Sequence, residues 1–203
     1  MGRVKVLAHL AGAWLAVSLA SAGQPRLVPH GATQNLLVHD KPFLILGGEL
    51  GNSSASSATY MKDHWPRLAA MNLNTVLAPV YWELGEPVEG RFEWASVDSL
   101  LRGAREHDLK LVILWFGAWK NSMSTYVPSW VKRDPARFPR VALADGSSVE
   151  ILSAFSNHTR DADARAFAAF MDYLKRVDGA DNTVIMVQIE NEIGMLPVAR
   201  EGG

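Results

Sequence analysis

Thr183-Val184-Ile185-Met186-Val187-Gln188-Ile189-Glu190-Asn191-Glu192 is the stretch whose reading decides the fold. It begins as a short apolar run rich in β-branched residues, the pattern of a strand buried on both faces in a parallel sheet. It ends on acid, amide, acid. Barrels of eight βα units keep their chemistry on the loops at the C-terminal ends of the strands. With period two, Ile185, Val187 and Ile189 share one face, expected to pack under helices. Met186, Gln188, Glu190 and Glu192 share the other, the lumen side of a barrel. Glu192 is then the outermost lumen carboxylate, and Glu190 lies one layer deeper. Asn191 stands at the strand end, where alternation breaks down and its amide can turn toward the same pocket.

Upstream, three more runs read as strands: Phe43 to Gly47, Asn74 to Val80 and Lys110 to Phe116. Helical spacing of apolar residues lies between them, over Tyr60 to Met71, Val97 to His107 and Ala162 to Val177. The alternation predicts an α/β fold with a parallel sheet. A doubly wound nucleotide-binding sheet competes, and Gly47-Gly48-Glu49-Leu50-Gly51 is glycine-rich. It is neither a dinucleotide fingerprint nor a P-loop, and Glu49 would repel phosphate. The strand ends carry Glu49, then Tyr81-Trp82-Glu83, then Trp119-Lys120-Asn121, then Asn191-Glu192. Acids, amides and tryptophans at four successive strand ends favour the (β/α)8 TIM barrel. Such a barrel takes about 250 residues, so this chain is expected to hold its first four βα units. Residues 117 to 161 read as a long ordered loop walling the site, with Tyr126, Pro128, Trp130, Pro135 and Pro139.

The chain has 203 residues, 48% hydrophobic and 20% charged, with a net charge of -1. That balance gives no electrostatic case for nucleic acid or an anionic membrane. Without cysteine there is no disulfide or thiolate chemistry. The six histidines are scattered, so neither a metal nor another cofactor is expected. Arg3 and Lys5, the apolar run Val6 to Ala20 and the small residues Ala20-Ser21-Ala22 read as a cleaved signal peptide, residues 1–22. The competing reading is an uncleaved anchor, though the run is shorter than the ~20 residues a span needs. Residues 23–203 are then the barrel part of a periplasmic or extracellular protein, off the membrane once cleaved. A homo-oligomer is compatible with the full-length form.

Two carboxyl groups flanking a sugar cleave a glycosidic bond. Glu192 suits the proton donor, if apolar and aromatic walls keep it protonated. Asn191 suits a hydrogen bond to a sugar 2-hydroxyl. Trp82 and Trp119 are candidates to stack on a sugar face, and equally candidates for plain core. Glu49, Glu83 and Asn121 are further candidate sugar contacts. Glu86-Pro87 reads as a loop-shaping element.

These residues resemble a known family. Asn74-Thr75-Val76, Trp82, Glu86-Pro87, Gly90 and Phe92 are similar to the N-T-V…W…E-P-x-x-G-x-F signature of glycoside hydrolase family 35, the retaining β-galactosidases, close to family 42. Gln188-Ile189-Glu190-Asn191-Glu192 with Gly194 resembles its Q-x-E-N-E-x-G motif, and Pro128-Ser129-Trp130 its P-x-W loop. The resemblance runs from about Lys41 to Gly194. It implies that Glu192 is the acid/base, that Asn191 contacts sugar, and that the substrate is a galactose-containing glycan. It also implies a nucleophile glutamate after a seventh strand, which these residues do not include, so the isolated chain is expected to be inactive. Pro79, Trp119-Lys120-Asn121 and Gly47 to Asn52 depart from the family pattern. They suggest a divergent bacterial branch, acting on cell-wall glycans such as galactosylated xyloglucan. The alternatives are an endo-acting β-glycanase of the same clan and a non-catalytic sugar-binding protein.

Overall fold

Short apolar runs and amphipathic helices alternate along residues 23–194, the part of the chain that the computed structural model describes. The expected signal peptide lies outside those residues. The chain opens with a three-stranded antiparallel meander that the sequence reading did not anticipate: β1 (Arg26–His30), β2 (Thr33–Val38) and β3 (Lys41–Pro42). Next come β4 (Gly47–Glu49), α1 (Ala58–Lys62), α2 (Trp65–Ala70), β5 (Thr75–Tyr81), α3 (Trp82–Gly85) and α4 (Ala95–Glu106). The remainder is β6 (Lys110–Lys120), α5 (Ser129–Lys132), the hairpin β7 (Arg140–Ala142) and β8 (Ser148–Leu152), α6 (Asn157–Asp178) and β9 (Val184–Asn191).

Strands β4, β5, β6 and β9 form one parallel sheet in that spatial order. Each new strand adds beside the last, with no reversal of order. A doubly wound sheet reverses at its switch point; a barrel wall does not. The fold is therefore a partial α/β barrel, as the sequence predicts. Central strand β6 is buried almost from end to end. Helix α4 turns Val97, Leu100, Leu101 and Ala104 inward, and α6 turns Ala162, Ala166, Phe170 and Leu174 inward. Trp115 of β6 stacks on Phe170 with centroids 5.4 Å apart. Buried side chains of this size contribute about 1.5–3 kcal/mol each.

Several boundaries differ from the sequence reading, each for a physical reason. The first strand of the parallel sheet is Gly47–Glu49, not Phe43 to Gly47. The Phe43 N–H donates to Leu36 O of the meander, and Leu44 and Leu46 face solvent. The helix expected over Tyr60 to Met71 is two short helices, because Pro66 sits at the start of α2 and removes a donor needed by a continuous helix. Helix α6 starts at Asn157, where the Ser156 hydroxyl caps the Thr159 N–H at 3.2 Å. Pro79 lies inside β5 without breaking it. Odd residues of β5 face β4, since Leu50 N–H donates to Leu77 O, and β4 has ended by then. No ladder bond is lost.

Candidate active site

Strand β6 does not stop at Phe116 but continues to Lys120. Its pairing with β9 jumps from Trp115↔Ile189 to Lys120↔Asn191, so five steps on β6 oppose two on β9. This bulge builds the site. It carries the Lys120 side chain back to the end of β9, where Nζ donates to Asn191 Oδ1 at 2.6 Å, to Glu192 Oε2 at 2.9 Å, and to Asn121 Oδ1. Lys120 is only 7% exposed and its ammonium sits 5.1 Å over the Phe116 ring. Phe116 packs in turn against Tyr81 and Tyr126. Three of the predicted site residues, Asn121, Asn191 and Glu192, thus converge on one buried cation.

The alternation expected for β9 fails at its end. Ile185 is buried as predicted, but Ile189 is 65% exposed. Glu190 adopts φ 60° and Glu192 φ 51°, left-handed conformations that turn each side chain off the strand's alternation. Glu190 consequently does not lie beneath Glu192 in a lumen layer. Its carboxylate accepts the Ala118 N–H at 3.0 Å and the Trp119 N–H at 2.9 Å. The Glu192 side chain is 62% exposed and ion-paired with Lys120. The expected apolar enclosure around it is absent among the described residues.

Sequence reading did not find Asp163. It projects from α6 under the bulge, where it accepts Trp115 Nε1–H and the Ala118 N–H, both at 2.9 Å. Asp163 and Glu190 therefore share the Ala118 N–H and face each other. Burial first, and then the Asp163 carboxyl, push Glu190 up to about 10; the two backbone N–H groups pull it down without offsetting this. The signal available in sequence was Asp163 itself, an acid on the apolar face of an amphipathic helix.

The other candidates divide. Trp119 is half-buried, with Nε1–H donating to Leu152 O at 3.1 Å. It lines a cleft of about 260 Å³ with Leu152, Ala154, Ile193 and Gly194, next to Glu192. Trp82 is not available to sugar: it is wholly buried, donates to Glu86 Oε2 at 2.8 Å and meets Trp130 edge-on. Glu83 pairs with Lys132 at 3.2 Å, which occupies its carboxylate at the end of β5. Glu49 is exposed on edge strand β4, in register with Leu77. Two strands separate it from β9, roughly 14 Å across the sheet at the usual strand spacing. It does not join the Lys120 cluster. Glu86 shapes its loop as expected, accepting from Trp82, from Gly90 N–H at 2.7 Å and from Arg165 at 3.3 Å.

No protein-family model matches the chain. Beta-galactosidase 8 of Oryza sativa subsp. japonica is 30% identical over 156 residues, 75% of this chain and 22% of that protein. Beta-galactosidase of Xanthomonas manihotis is 30% identical over 194 residues, 89% of this chain and 29% of that protein. The chain thus spans less than a third of the length of these curated relatives. Among solved structures, the catalytic domain of beta-amylase from Paenibacillus polymyxa superposes with a TM-score of 0.56 at 15% identity, over 70% of this chain and 36% of that one. In sequence the chain is similar to β-galactosidases, and in fold it is a partial α/β barrel.

Proposed function

We propose that residues 23–203 form the front part of an exported, retaining glycoside hydrolase that releases terminal β-linked galactose from glycans. The observation that carries this is the Lys120–Asn191–Glu192 cluster at the C-terminal edge of the parallel sheet. Likeness to two β-galactosidases supports the choice of sugar. In this reading Glu192 protonates the glycosidic oxygen as the bond to the sugar breaks. It then takes a proton from the water that releases the sugar. A second carboxylate about 5–5.5 Å away acts as nucleophile, and it comes from outside these 203 residues. Lys120 holds Asn191 by its oxygen, which leaves the amide N–H groups to donate to a sugar hydroxyl. In this reading Trp119 and its cleft, lined also by Ile193 and Gly194, receive the group beyond the scissile bond.

The test is Glu192→Gln in the complete natural polypeptide that carries these residues. Turnover of a methyl β-galactoside, a poor leaving group, is expected to fall by about 10²–10⁴-fold. Bond cleavage with a dinitrophenyl β-galactoside, which needs no proton donor, is expected to persist as a burst of phenolate. Unchanged turnover of the methyl glycoside would remove Glu192 from the mechanism. The isolated 203-residue chain is expected to show no hydrolysis.

A further inference from the structure

The bulge that delivers Lys120 is held from below by two acids, and its geometry limits their charge. Asp163 Oδ2 and Glu190 Oε1 both accept the Ala118 N–H, at 2.9 and 3.0 Å. Glu190 Oε2 takes the next N–H, of Trp119, and Asp163 Oδ1 takes the Trp115 indole. Two carboxylates this close cannot both be ionised out of water, so one proton is shared between them. The backbone fits closely around them. A Cβ on Gly117 would meet Asp163 Oδ1 and Trp115 Nε1, each at 2.5 Å. Trp115, Gly117, Ala118 and Trp119 are thereby fixed against α6 and the end of β9. Lys120 is the next residue, and it touches Asn191 and Glu192.

We propose that Asp163 and Glu190 act as one proton-sharing clamp, a pair of positioning residues that sets the β6 bulge and so holds Lys120 against Asn191 and the acid/base Glu192. The proposal deepens the glycosidase reading and, for its kinetic consequence, rests on it. Neither acid touches substrate. The charged group that faces Glu190 is Asp163 from α6, its direct partner.

The hydrogen bonds specify an informative pair of variants. Asp163→Asn keeps the contacts that hold the bulge: its Oδ1 accepts the Trp115 indole, its amide donates to Glu190, and Glu190 still accepts both backbone N–H groups, so that only the second acceptor on the Ala118 N–H is lost. Asp163→Ala leaves the Trp115 indole without an acceptor and Glu190 without its carboxyl partner. In the complete natural polypeptide, with nitrophenyl β-galactoside as probe, Asp163→Ala is expected to lower kcat on the order of 100-fold, the cost of a misplacement of about 1 Å, with KM near the wild-type value. Asp163→Asn restores most of kcat. Should Asp163→Ala not fold, Lys120→Met makes the same test one step nearer Glu192, with the same loss expected. A second readout does not need activity. In Asp163→Ala the Ala118 and Trp119 backbone amides and the Asn191 side-chain amide shift together in a 15N spectrum, and in Asp163→Asn those of Trp119 and Asn191 stay near their wild-type positions. If the wild type hydrolyses no galactoside, the substrate reading fails while the amide shifts still decide the clamp. Wild-type kcat in Asp163→Ala or Lys120→Met would overturn the proposal. So would an Asn191 amide unmoved in Asp163→Ala, or Asp163→Asn as damaged as Asp163→Ala.

Discussion

Glu86 shows how one residue can be legible in type and illegible in role. Its carboxylate is wholly buried and takes hydrogen bonds from the Trp82 indole, the Gly90 N–H and Arg165. Its own carbonyl accepts the Trp130 indole at 3.0 Å. Glu86→Ala would leave a buried indole and a backbone N–H unpaired, each costing about 1–3 kcal/mol. Denaturant unfolding is expected to show a loss of about 2–5 kcal/mol, and a change within a few tenths would refute this account of the loop. Sequence placed Glu86 in a structural role from its proline alone, and it left Trp82 undecided between sugar platform and core. Burial decided for core, and burial depends on Trp130 some fifty positions along the chain, which no local pattern reports. Asn191 and Glu192 were legible because they end an apolar run. Glu190 was not, since its direction is set by φ 60° and by the bulge opposite, not by period two.

Among elements, the strands and long helices were readable because apolar periodicity needs no partner to be seen. The break at Pro66 was also in the sequence, and apolar spacing across it concealed the break. The meander of β1 to β3 and the hairpin of β7 and β8 left weak marks. Their strands are short and bury only Val38, Val141, Ile151 and Leu152, too few for a periodic signal. Helix α4 offers a test of how elements meet. Gly103 lies within it, and an alanine there would gain about 1 kcal/mol in helix propensity. A Cβ at that position would, however, come within 2.2 Å of the Trp65 indole of α2. Overpacking of a rigid ring costs about 1–3 kcal/mol, so Gly103→Ala is expected to lower the unfolding midpoint. A rise would mean that α2 and α4 are not in such contact.

On the scale of the whole molecule, the buried Asp163–Glu190 pair links stability to pH. Glu190 sits near 10 in the fold and near 4.5 in an exposed chain. The folded state therefore holds more protons over that window. The stability this contributes is full below about 4.5 and is lost as pH rises toward about 10. Asp40, Glu89 and Asp145 are lowered by hydrogen bonds from Arg26, Arg137 and Ser147, and act oppositely on the acid side. They lie at the surface, where such pairs contribute little. Lys110, lowered by burial, opposes the trend only in the alkaline range. Denaturation midpoints are expected to fall from pH about 5 to about 9, and Asp163→Asn to flatten that slope; a wild-type slope already flat would contradict the shared proton. Among the described residues the sheet also ends in two open edges, β4 and β9, with Leu44, Leu46, Met186 and Ile189 exposed beside them. Light scattering of the 203-residue chain is expected to show self-association, and a monodisperse monomer would contradict it. The partial barrel itself was legible from the order of strands and helices, and its open edges from their number. Azide measures the role of Glu192 most directly. In Glu192→Ala of the complete polypeptide, azide needs no base to attack the glycosyl-enzyme, so it is expected to restore turnover of dinitrophenyl β-galactoside and yield β-galactosyl azide. No azide product, or full turnover without azide, would contradict the assignment of Glu192 as acid/base.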